Sequence, residues 1–183
     1  MGTTVYAIGH STKPIQVFIE ILRAHNVDAL VDIRTIPRSR HNPQFNRNAL
    51  ALSLSQAGIG YLHLKELGGL RRPARDSKNT GWRNASFRGF ADYMQTKEFA
   101  AGLDRLGRLA KEKSVVIMCA EGNPFRCHRS LVADALTVRG AKVIHIASKR
   151  DGRPHKITPF ARVRGTSLSY PAEVAEPRRQ MSS

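Results

Sequence analysis

Short apolar runs alternate along the chain with longer segments whose apolar residues recur every three or four positions. The run VVIMC (115–119) has the length and continuous hydrophobicity of a buried parallel strand. Ile15, Phe18 and Leu22 instead recur with helical spacing and fall on one face of a helix. We predict strands at 4–9, 29–33, 59–64, 115–119 and 142–146, and helices between residues 12 and 26, between 46 and 56, around 99–110, and at 124–139.

This alternation predicts a three-layer, Rossmann-like α/β domain in which helices flank a mostly parallel five-stranded sheet. The carboxyl ends of parallel strands lie along one edge of such a sheet, where open α/β folds bind their ligands. That edge should receive His10–Ser11, Asp32–Arg34, Cys119–Glu121 and His145. Candidate chemistry that is spread along the sequence should therefore converge in space.

The domain organisation follows from length and local composition. Residues 1–170 are expected to form a single domain, since 183 residues can bury one core and no internal repeat is visible. The stretch 68–88 is rich in Gly, Arg and Asn, and we expect a long basic loop there that is functional or mobile. Residues 171–183 lack periodicity and are expected to form a flexible tail.

No apolar run approaches the roughly 18 residues that a membrane span needs, so we expect no membrane partner. The chain starts with a strand-like segment instead of a basic region and an apolar core, so no signal peptide is predicted. Two cysteines eight positions apart suit a reducing compartment better than a disulfide framework. We expect a cytoplasmic protein that needs no cofactor.

The charge balance points to an anionic partner. The chain has 30 Lys and Arg residues against 14 Asp and Glu residues, a net charge of +16. Residues 34–88 hold eleven basic and two acidic side chains, so +9 of this charge lies in 55 residues. Concentrated positive charge favours nucleic acid or a phosphorylated small molecule as the partner. The alternative is a generally solvated basic surface.

Candidate chemistry is densest in VVIMCAEGNPFRCHRSLVADAL (115–136). Both cysteines, one carboxylate, one histidine and two arginines fall within eleven residues, where the predicted strand ends and a helix is predicted to open at Pro124. The free N–H groups of a helix start favour an anion.

The first hypothesis is that this edge binds, and in an enzyme also processes, a phosphate-bearing ligand such as a nucleic acid or a nucleotide. Arginine supplies planar bidentate donors for phosphate, and aromatic rings among arginines suit stacking on bases. The predicted binding residues are Ser11, Arg34, Ser39, Arg40, Trp82, Arg83, Arg88, Arg126 and Arg129. The candidates for proton transfer are His10, Glu121 and His128.

Two structural interpretations compete with this hypothesis. The charged residues fit an ion network in which Asp32 pairs with Arg34 and Glu121 pairs with Arg129. The ring of Trp82 also suits a role in pinning the loop to the core.

The second hypothesis is cysteine-dependent catalysis. A Cys at a helix start beside Arg and His has a lowered pKa, and Cys127 meets that description, with Cys119 as its partner thiol. The alternative is that both cysteines are small buried hydrophobes. A metal site made of Cys119, Cys127 and His128 is disfavoured by their spacing. The residues leave open whether the protein is an enzyme or a non-catalytic nucleic-acid-binding module.

Several motifs are shared with one known family. They are IGHS (8–11), VDIRTIPRSR (31–40), GIGYLHLKELGG (58–69), CAEGNPFRCHR (119–129), HI (145–146) and SYP (169–171). On these motifs the chain resembles the domain of unknown function 488 family, whose name implies no established activity. The resemblance implies that the following positions matter: His10, Ser11, Asp32, Arg34, Pro37, Ser39, Arg40, Tyr61, Cys119, Glu121, Cys127, His128 and Arg129.

A weaker likeness links the chain to rhodanese-like and cysteine-dependent phosphatase domains, in which a strand ends in a Cys that starts an anion-binding loop. Here six residues separate Cys119 from Arg126, whereas the phosphatase signature has five, and Glu121 adds a negative charge inside the loop. The phosphatase mechanism is therefore not expected to transfer directly.

Overall fold

The computed structural model describes residues 2–173, whose elements follow the predicted alternation. The strands are β1 (Thr4–Gly9), β2 (Ala29–Asp32), β3 (Gly60–His63), β4 (Val115–Cys119), β5 (Lys142–His145), β6 (Arg153–Pro154), β7 (Arg162–Arg164) and β8 (Ser167–Ser169). The helices are α1 (Ile15–Ala24), α2 (Arg47–Gln56), α3 (Ala85–Tyr93), α4 (Lys97–Glu112) and α5 (Arg129–Val138).

The central sheet has six strands in the order β3-β2-β4-β1-β5-β6. The first five strands of that order are mutually parallel, and the two-residue strand β6 is antiparallel to β5. Gly9 pairs with Cys119, and Asp32 pairs with Met118. The carboxyl ends of β1, β2 and β4 are therefore level, and the loops that follow them start side by side at one edge.

Helices cover both faces of this sheet, which confirms the predicted three-layer, Rossmann-like fold. One face packs against α1 and α2 through side chains such as Phe18 and Leu50. The other face packs against α3, α4 and α5 through side chains such as Phe90, Leu103 and Leu131. No helix among residues 2–173 has the length and apolar character needed to cross a bilayer.

One helix start and the shortest strands differ from the prediction. The helix predicted to open at Pro124 is a short 3-10 turn (Pro124–Arg126), and α5 begins only at Arg129. Strand β6 and the hairpin of β7 and β8 were not predicted, since such short strands leave no readable period. Of the tail predicted at 171–183, residues 174–183 lie outside the described part.

The C-terminal segment is fastened to α5 through the buried carboxylate of Asp134. That carboxylate accepts hydrogen bonds from Thr158 Oγ1 at 2.7 Å, from the Tyr170 hydroxyl at 2.9 Å and from His155 Nε2 at 2.7 Å. His155 Nδ1 lies 2.9 Å from Nε2 of His145 at the end of β5. Residues 155–170 are therefore bound to the sheet and to α5 by polar contacts as well as by packing.

Candidate active site

Backbone hydrogen bonds fix the loop that leaves β4. The amide of His10 donates to the carbonyl of Cys119 at 2.9 Å, and the amide of Ser11 donates to the carbonyl of Ala120 at the same distance. Gly9 is needed beside them, because a Cβ there would collide with the carbonyl of Glu121. These contacts hold together the loops that follow β1 and β4.

A second set of contacts returns the chain from this loop to Cys119. The amide of Phe125 donates to Asn123 Oδ1 at 3.0 Å, which starts the 3-10 turn. The turn ends at Cys127, whose Sγ accepts the amide of Arg129 in the first turn of α5 at 3.4 Å. The polar loop and the turn thus bring the second cysteine back to the first.

The two thiols are in direct contact. Their Sγ atoms lie 2.8 Å apart, closer than an ordinary non-bonded sulfur contact and longer than the about 2.0 Å of a disulfide bond. Both cysteines are free, and both are buried at the floor of a cavity. The structure joins the two thiols by a hydrogen bond between their sulfur atoms.

The two thiols have opposite acidities. The hydrogen bond from Cys119 lowers the pKa of Cys127 well below its usual range, and the neighbouring His128 and the amide of Arg129 lower it further. Burial raises the pKa of Cys119, and its contact with Cys127 raises it more. These directions favour Cys127 as the thiolate of the pair, and the contacts of its Sγ with His128 Nδ1 and with the Arg129 amide favour the same assignment.

Arg129 carries a buried positive charge beside this pair. Its side chain is only 2% exposed, and Nη1 donates to Cys119 Sγ at 3.1 Å and to the Glu121 carbonyl at 3.2 Å. Among residues 2–173 its guanidinium forms no ion pair with a carboxylate, and its Nε lacks a hydrogen-bond partner. Burial and the charge of Arg129 also lower the pKa of Lys13. An uncompensated buried cation is costly, so a negative charge on the sulfur pair stabilises the site.

His128 faces the thiolate from the other side. Its Nε2 lies 3.0 Å from the Ile33 carbonyl, which can only accept, so Nε2 carries a hydrogen. Its Nδ1 lies 3.6 Å from Cys127 Sγ. The ring is held by an edge contact with Phe90 and by Gly69, where a Cβ would press on the imidazole. His128 is thus oriented to exchange a proton with Cys127.

The sulfur pair opens into a cavity of about 410 Å³. The walls come from the loops after β2, β3 and β4 and from the start of α3. Among the lining residues are Arg34, Thr35, Ile36, Arg38, Leu70, Phe87, Cys119, Glu121, Arg126, Cys127 and His128. Six residues of the predicted set therefore line this cavity: Arg34, Cys119, Glu121, Arg126, Cys127 and His128.

Arg34, which also lines the cavity, joins other predicted residues in a second cluster on the α1 and α2 face. Arg34 donates from Nε and Nη2 to the Asp32 carboxylate at 2.9 and 2.7 Å, and the Tyr61 hydroxyl donates to the same carboxylate at 2.7 Å. His10 stacks on Phe45 with ring centroids 4.2 Å apart. Asp32 and Arg34 thus form the predicted ion pair, which engages most of the donors that a phosphate would need from Arg34.

Proton transfer by His10 lacks a route to the cavity. The side chain is buried, and its Nδ1 is engaged with the Ser11 carbonyl at 2.8 Å. Its Nε2 lies 3.4 Å from Arg34 Nη1, and burial lowers the pKa of His10 to about 4. We therefore assign His10 a packing role, with a neutral ring at physiological pH.

Glu121 does not pair with Arg129 as the ion-network interpretation predicted. Its carboxylate accepts the amide of Asn123 at 3.2 Å, and only its backbone carbonyl reaches Arg129.

Ser11 and Ser39 were predicted as phosphate-binding residues. The backbone of Ser11 lies in the left-handed region with φ of 50°, and Ser39 Oγ accepts the amide of Asn42 at 3.1 Å.

The predicted 68–88 loop is fixed to the domain, and its C-terminal end forms the start of α3. The ring of Trp82 stacks on Phe87 at 4.8 Å and contacts Phe160 and Tyr170, so the pinning interpretation matches its environment better than stacking on a base. Arg88 donates from two nitrogens to the carbonyl of Trp82. The side chains of Arg40 and Arg83 are exposed, and neither lines the cavity.

Sequence reasoning missed three parts of the cavity wall. Arg38 lines the cavity and lies inside the VDIRTIPRSR motif, but it was not among the predicted site residues. Leu70 lines the cavity with φ of 58°, a conformation that no apolar pattern reveals. Asn84 caps α3 at the cavity edge by accepting the Ser86 amide at 2.8 Å. Asn directly before a helix is a common cap, so the sequence could have indicated this residue.

The family model described as "Domain of unknown function DUF488" matches residues 14–136. None of the curated proteins matches the chain, and none of the solved structures does. Within residues 2–173, no group of three or more Cys, His, Asp and Glu side chains is arranged as a set of metal ligands.

Proposed function

Since the chain belongs to the domain of unknown function 488 family, whose name assigns no activity, we propose a function from the site itself: Cys119 and Cys127 are a catalytic dithiol that exchanges with a sulfur-containing substrate in the cavity. We propose further that the protein works in the reducing cytoplasm, where both thiols stay free.

The observation that carries the proposal is the contact between the two sulfur atoms at the cavity floor. They lie 2.8 Å apart, and the hydrogen bond that joins them is the largest cause of the lowered pKa of Cys127. A thiolate is the nucleophile in thiol–disulfide exchange, and a neighbouring thiol is what resolves the intermediate. A pair of merely structural cysteines needs neither a shared proton nor access to a cavity.

The reaction is a two-electron exchange. The Cys127 thiolate attacks one sulfur of a substrate disulfide, a mixed disulfide forms, and the other substrate sulfur leaves as a thiolate. Cys119 then gives up its proton and attacks Cys127 Sγ. The proposed base is His128, whose Nδ1 lies 3.6 Å from Cys127 Sγ. The Cys119–Cys127 disulfide forms, and the second substrate thiol leaves with the single proton that the pair had shared. A cellular thiol present in excess returns the protein to the dithiol by the reverse exchange.

Dithiobis(nitrobenzoate), an aromatic disulfide that releases a coloured thiolate, tests this proposal on the native protein. Wild type should release the chromophore rapidly in two equivalents and finish as an intramolecular disulfide. Cys119→Ser should release one equivalent and remain as a mixed disulfide, whereas Cys127→Ser should lose the fast phase. The two variants are matched controls for each other, and their folding is checked by circular dichroism. Labelling that becomes fast only in denaturant would refute the proposal.

A second candidate function is the binding of a phosphate-bearing ligand, including a nucleotide or nucleic acid. It is favoured by Arg38 and Arg126, which line the cavity and form no ion pair within residues 2–173.

Titration with inorganic phosphate, a nucleotide and a single-stranded oligonucleotide at two salt concentrations tests this candidate. Affinity should fall steeply with salt. The affinity should also fall in Arg126→Gln. It should stay unchanged in the control Arg164→Gln, which alters an arginine of the β7–β8 hairpin. Binding that is equal in both variants would place the anion elsewhere on this basic surface.

A further inference from the structure

Exposed apolar side chains gather at the mouth of the cavity. In the described part of the chain six large apolar residues are exposed: Val17, Ile36, Leu52, Leu70, Phe125 and Val163. Ile36 (60% exposed) and Leu70 (76%) line the cavity, and Phe125 (80%) adjoins its lining residue Arg126. Single exposed apolar residues are ordinary, but three of six around one opening are not a random scatter.

The backbone conformation of Leu70 and the exposure of its side chain are both energetically unfavourable. Its φ of 58° lies in the left-handed region, which is strained for a leucine, and its side chain projects into solvent. The backbone on its N-terminal side is held by Thr35 Oγ1, which donates to the Gly69 carbonyl at 2.6 Å. On the other side Arg71 donates to the Gly68 carbonyl and stacks over the Tyr93 ring. The loop therefore fixes Leu70 in a strained, outward position, as functional contact residues often are.

The charges at the mouth are mostly positive and unpaired. Arg38 and Arg126 are exposed and make no ion pair among residues 2–173. Glu121 is the one acidic lining residue, and its carboxylate is engaged with the Asn123 amide. An occupant that combines apolar side chains with negative charge is complementary to this surface.

We propose that the mouth docks an acidic, apolar segment of a partner protein, and that this segment presents the sulfur that reacts with Cys127. This inference rests on the proposed dithiol function and names its substrate class. A small disulfide would react at the floor without covering Phe125 and Leu70, which project around the opening. A nucleic acid would match the arginines, but of the three exposed apolar side chains only Phe125 offers a ring face for base stacking.

The test uses activated disulfides that release the nitrothiobenzoate chromophore. Three ten-residue peptides carry the activated Cys between Leu and Asp, between Leu and Lys, or between Ser and Asp, and N-acetylcysteine carries it as the small probe. Each rate with the full-length protein is divided by the rate with a free thiol, which removes differences in intrinsic reactivity. We expect the Leu/Asp peptide to react about tenfold faster than the small probe, as for a docked segment with a few anchoring contacts.

Three variants test which side chains form the docking surface at the mouth of the cavity. Leu70→Asn keeps the left-handed backbone, which asparagine tolerates, and should remove the preference for the Leu/Asp peptide over the Ser/Asp peptide. Arg126→Gln should remove the preference for Asp over Lys. Leu52→Thr alters an exposed leucine away from the mouth and should change neither ratio.

The outcomes separate this inference from the proposed function. Failure of the small probe to react rapidly with Cys127 would refute the dithiol function and the docking with it. Rapid reaction of the small probe with equal normalised rates for all peptides would refute the docking alone. Suppression of every rate by a single-stranded RNA oligonucleotide, without discrimination among the peptides, would overturn the protein partner in favour of nucleic acid.

Discussion

Arg129 donates to Cys119 at 3.1 Å from inside the protein, and within residues 2–173 no carboxylate pairs with its guanidinium. The sulfur pair is therefore the partner of this buried charge. Removing the cation should therefore destabilise a negative charge on the pair.

Arg129→Met should lower the thiolate fraction of Cys127 at pH 6.5 and slow its alkylation by iodoacetamide by about tenfold or more, about 1.4 kcal/mol of lost thiolate stabilisation. Arg129→Lys, which keeps the charge, should recover part of the rate. Arg139→Met is the control, because Arg139 pairs with Asp104 at the other end of the same helix. An unchanged alkylation rate in Arg129→Met would show that the charge does not act on the pair.

The contact between the cysteines should be visible in the pH dependence of alkylation. The rate in wild type should change little between pH 6 and 8, because the pKa of Cys127 is well below its usual range. For an ordinary thiol with a pKa of about 8.5, the alkylation rate would fall roughly 75-fold from pH 8 to pH 6. Cys119→Ala removes the hydrogen bond to Cys127 and should shift the midpoint of the profile upward. Identical profiles in both proteins would contradict the shared proton.

The ion pair of Asp32 and Arg34 should contribute to stability and not to reactivity. Asp32→Asn leaves a buried guanidinium without its counter-charge and should lower the free energy of unfolding by about 3–5 kcal/mol. Tyr61→Phe removes one hydrogen bond to the carboxylate and should cost about 1.5–3 kcal/mol. Urea unfolding measures both, with the exposed-pair variant Asp104→Asn as a control that should cost less than about 1 kcal/mol. Reactivity of Cys127 that falls in Tyr61→Phe would show that the two clusters are coupled.

Buried neutral histidines should make the fold sensitive to acid. Burial lowers the pKa of His10 and of His145 to about 4, so the unfolded chain binds these protons from about pH 6.5 downward while the folded chain does not. Their contribution to stability is therefore present above pH 6.5 and is lost as the pH falls towards 4, by at most about 1.4 kcal/mol per pH unit for each ring.

Urea midpoints between pH 7 and 4.5 check this dependence. Replacing His145 by Asn should flatten the slope of stability against pH, whereas His41→Asn, which alters an exposed ring, should leave it unchanged. An equal slope in all three proteins would assign the acid sensitivity to other groups.

Much of the architecture could be read from the sequence, because strand runs and helical faces are local signals. Strand β4 has the predicted bounds, and the convergence of the Asp32 and Cys119 exits followed from the parallel order of the strands. The pairing of Cys119 with Cys127 was proposed from the sequence, but the 3-10 turn that brings them into contact was not, because the sequence presents that turn as a helix start. Which residues share a cavity likewise depends on side-chain direction, as with Arg34, which turns back to Asp32.

The aromatic and arginine residues of the 68–88 loop illustrate the limit of composition. Trp82 among arginines suggested base stacking, but its ring packs on Phe87 and Phe160. The Asp134 network was equally invisible, since it joins residues that are up to 36 positions apart. Such contacts are set by tertiary packing and leave no period in the sequence.

The buried charge of Arg129 also bears on the redox balance of the pair. An interaction that stabilises the thiolate stabilises the dithiol form over the disulfide, because a disulfide carries no charge to offset the guanidinium. The reduction potential of the Cys119–Cys127 couple is therefore expected to be shifted towards oxidising values, by about 30 mV for each tenfold of stabilisation. A disulfide formed in turnover would then be readily reduced by cellular thiols, and the resting protein would hold its two cysteines reduced.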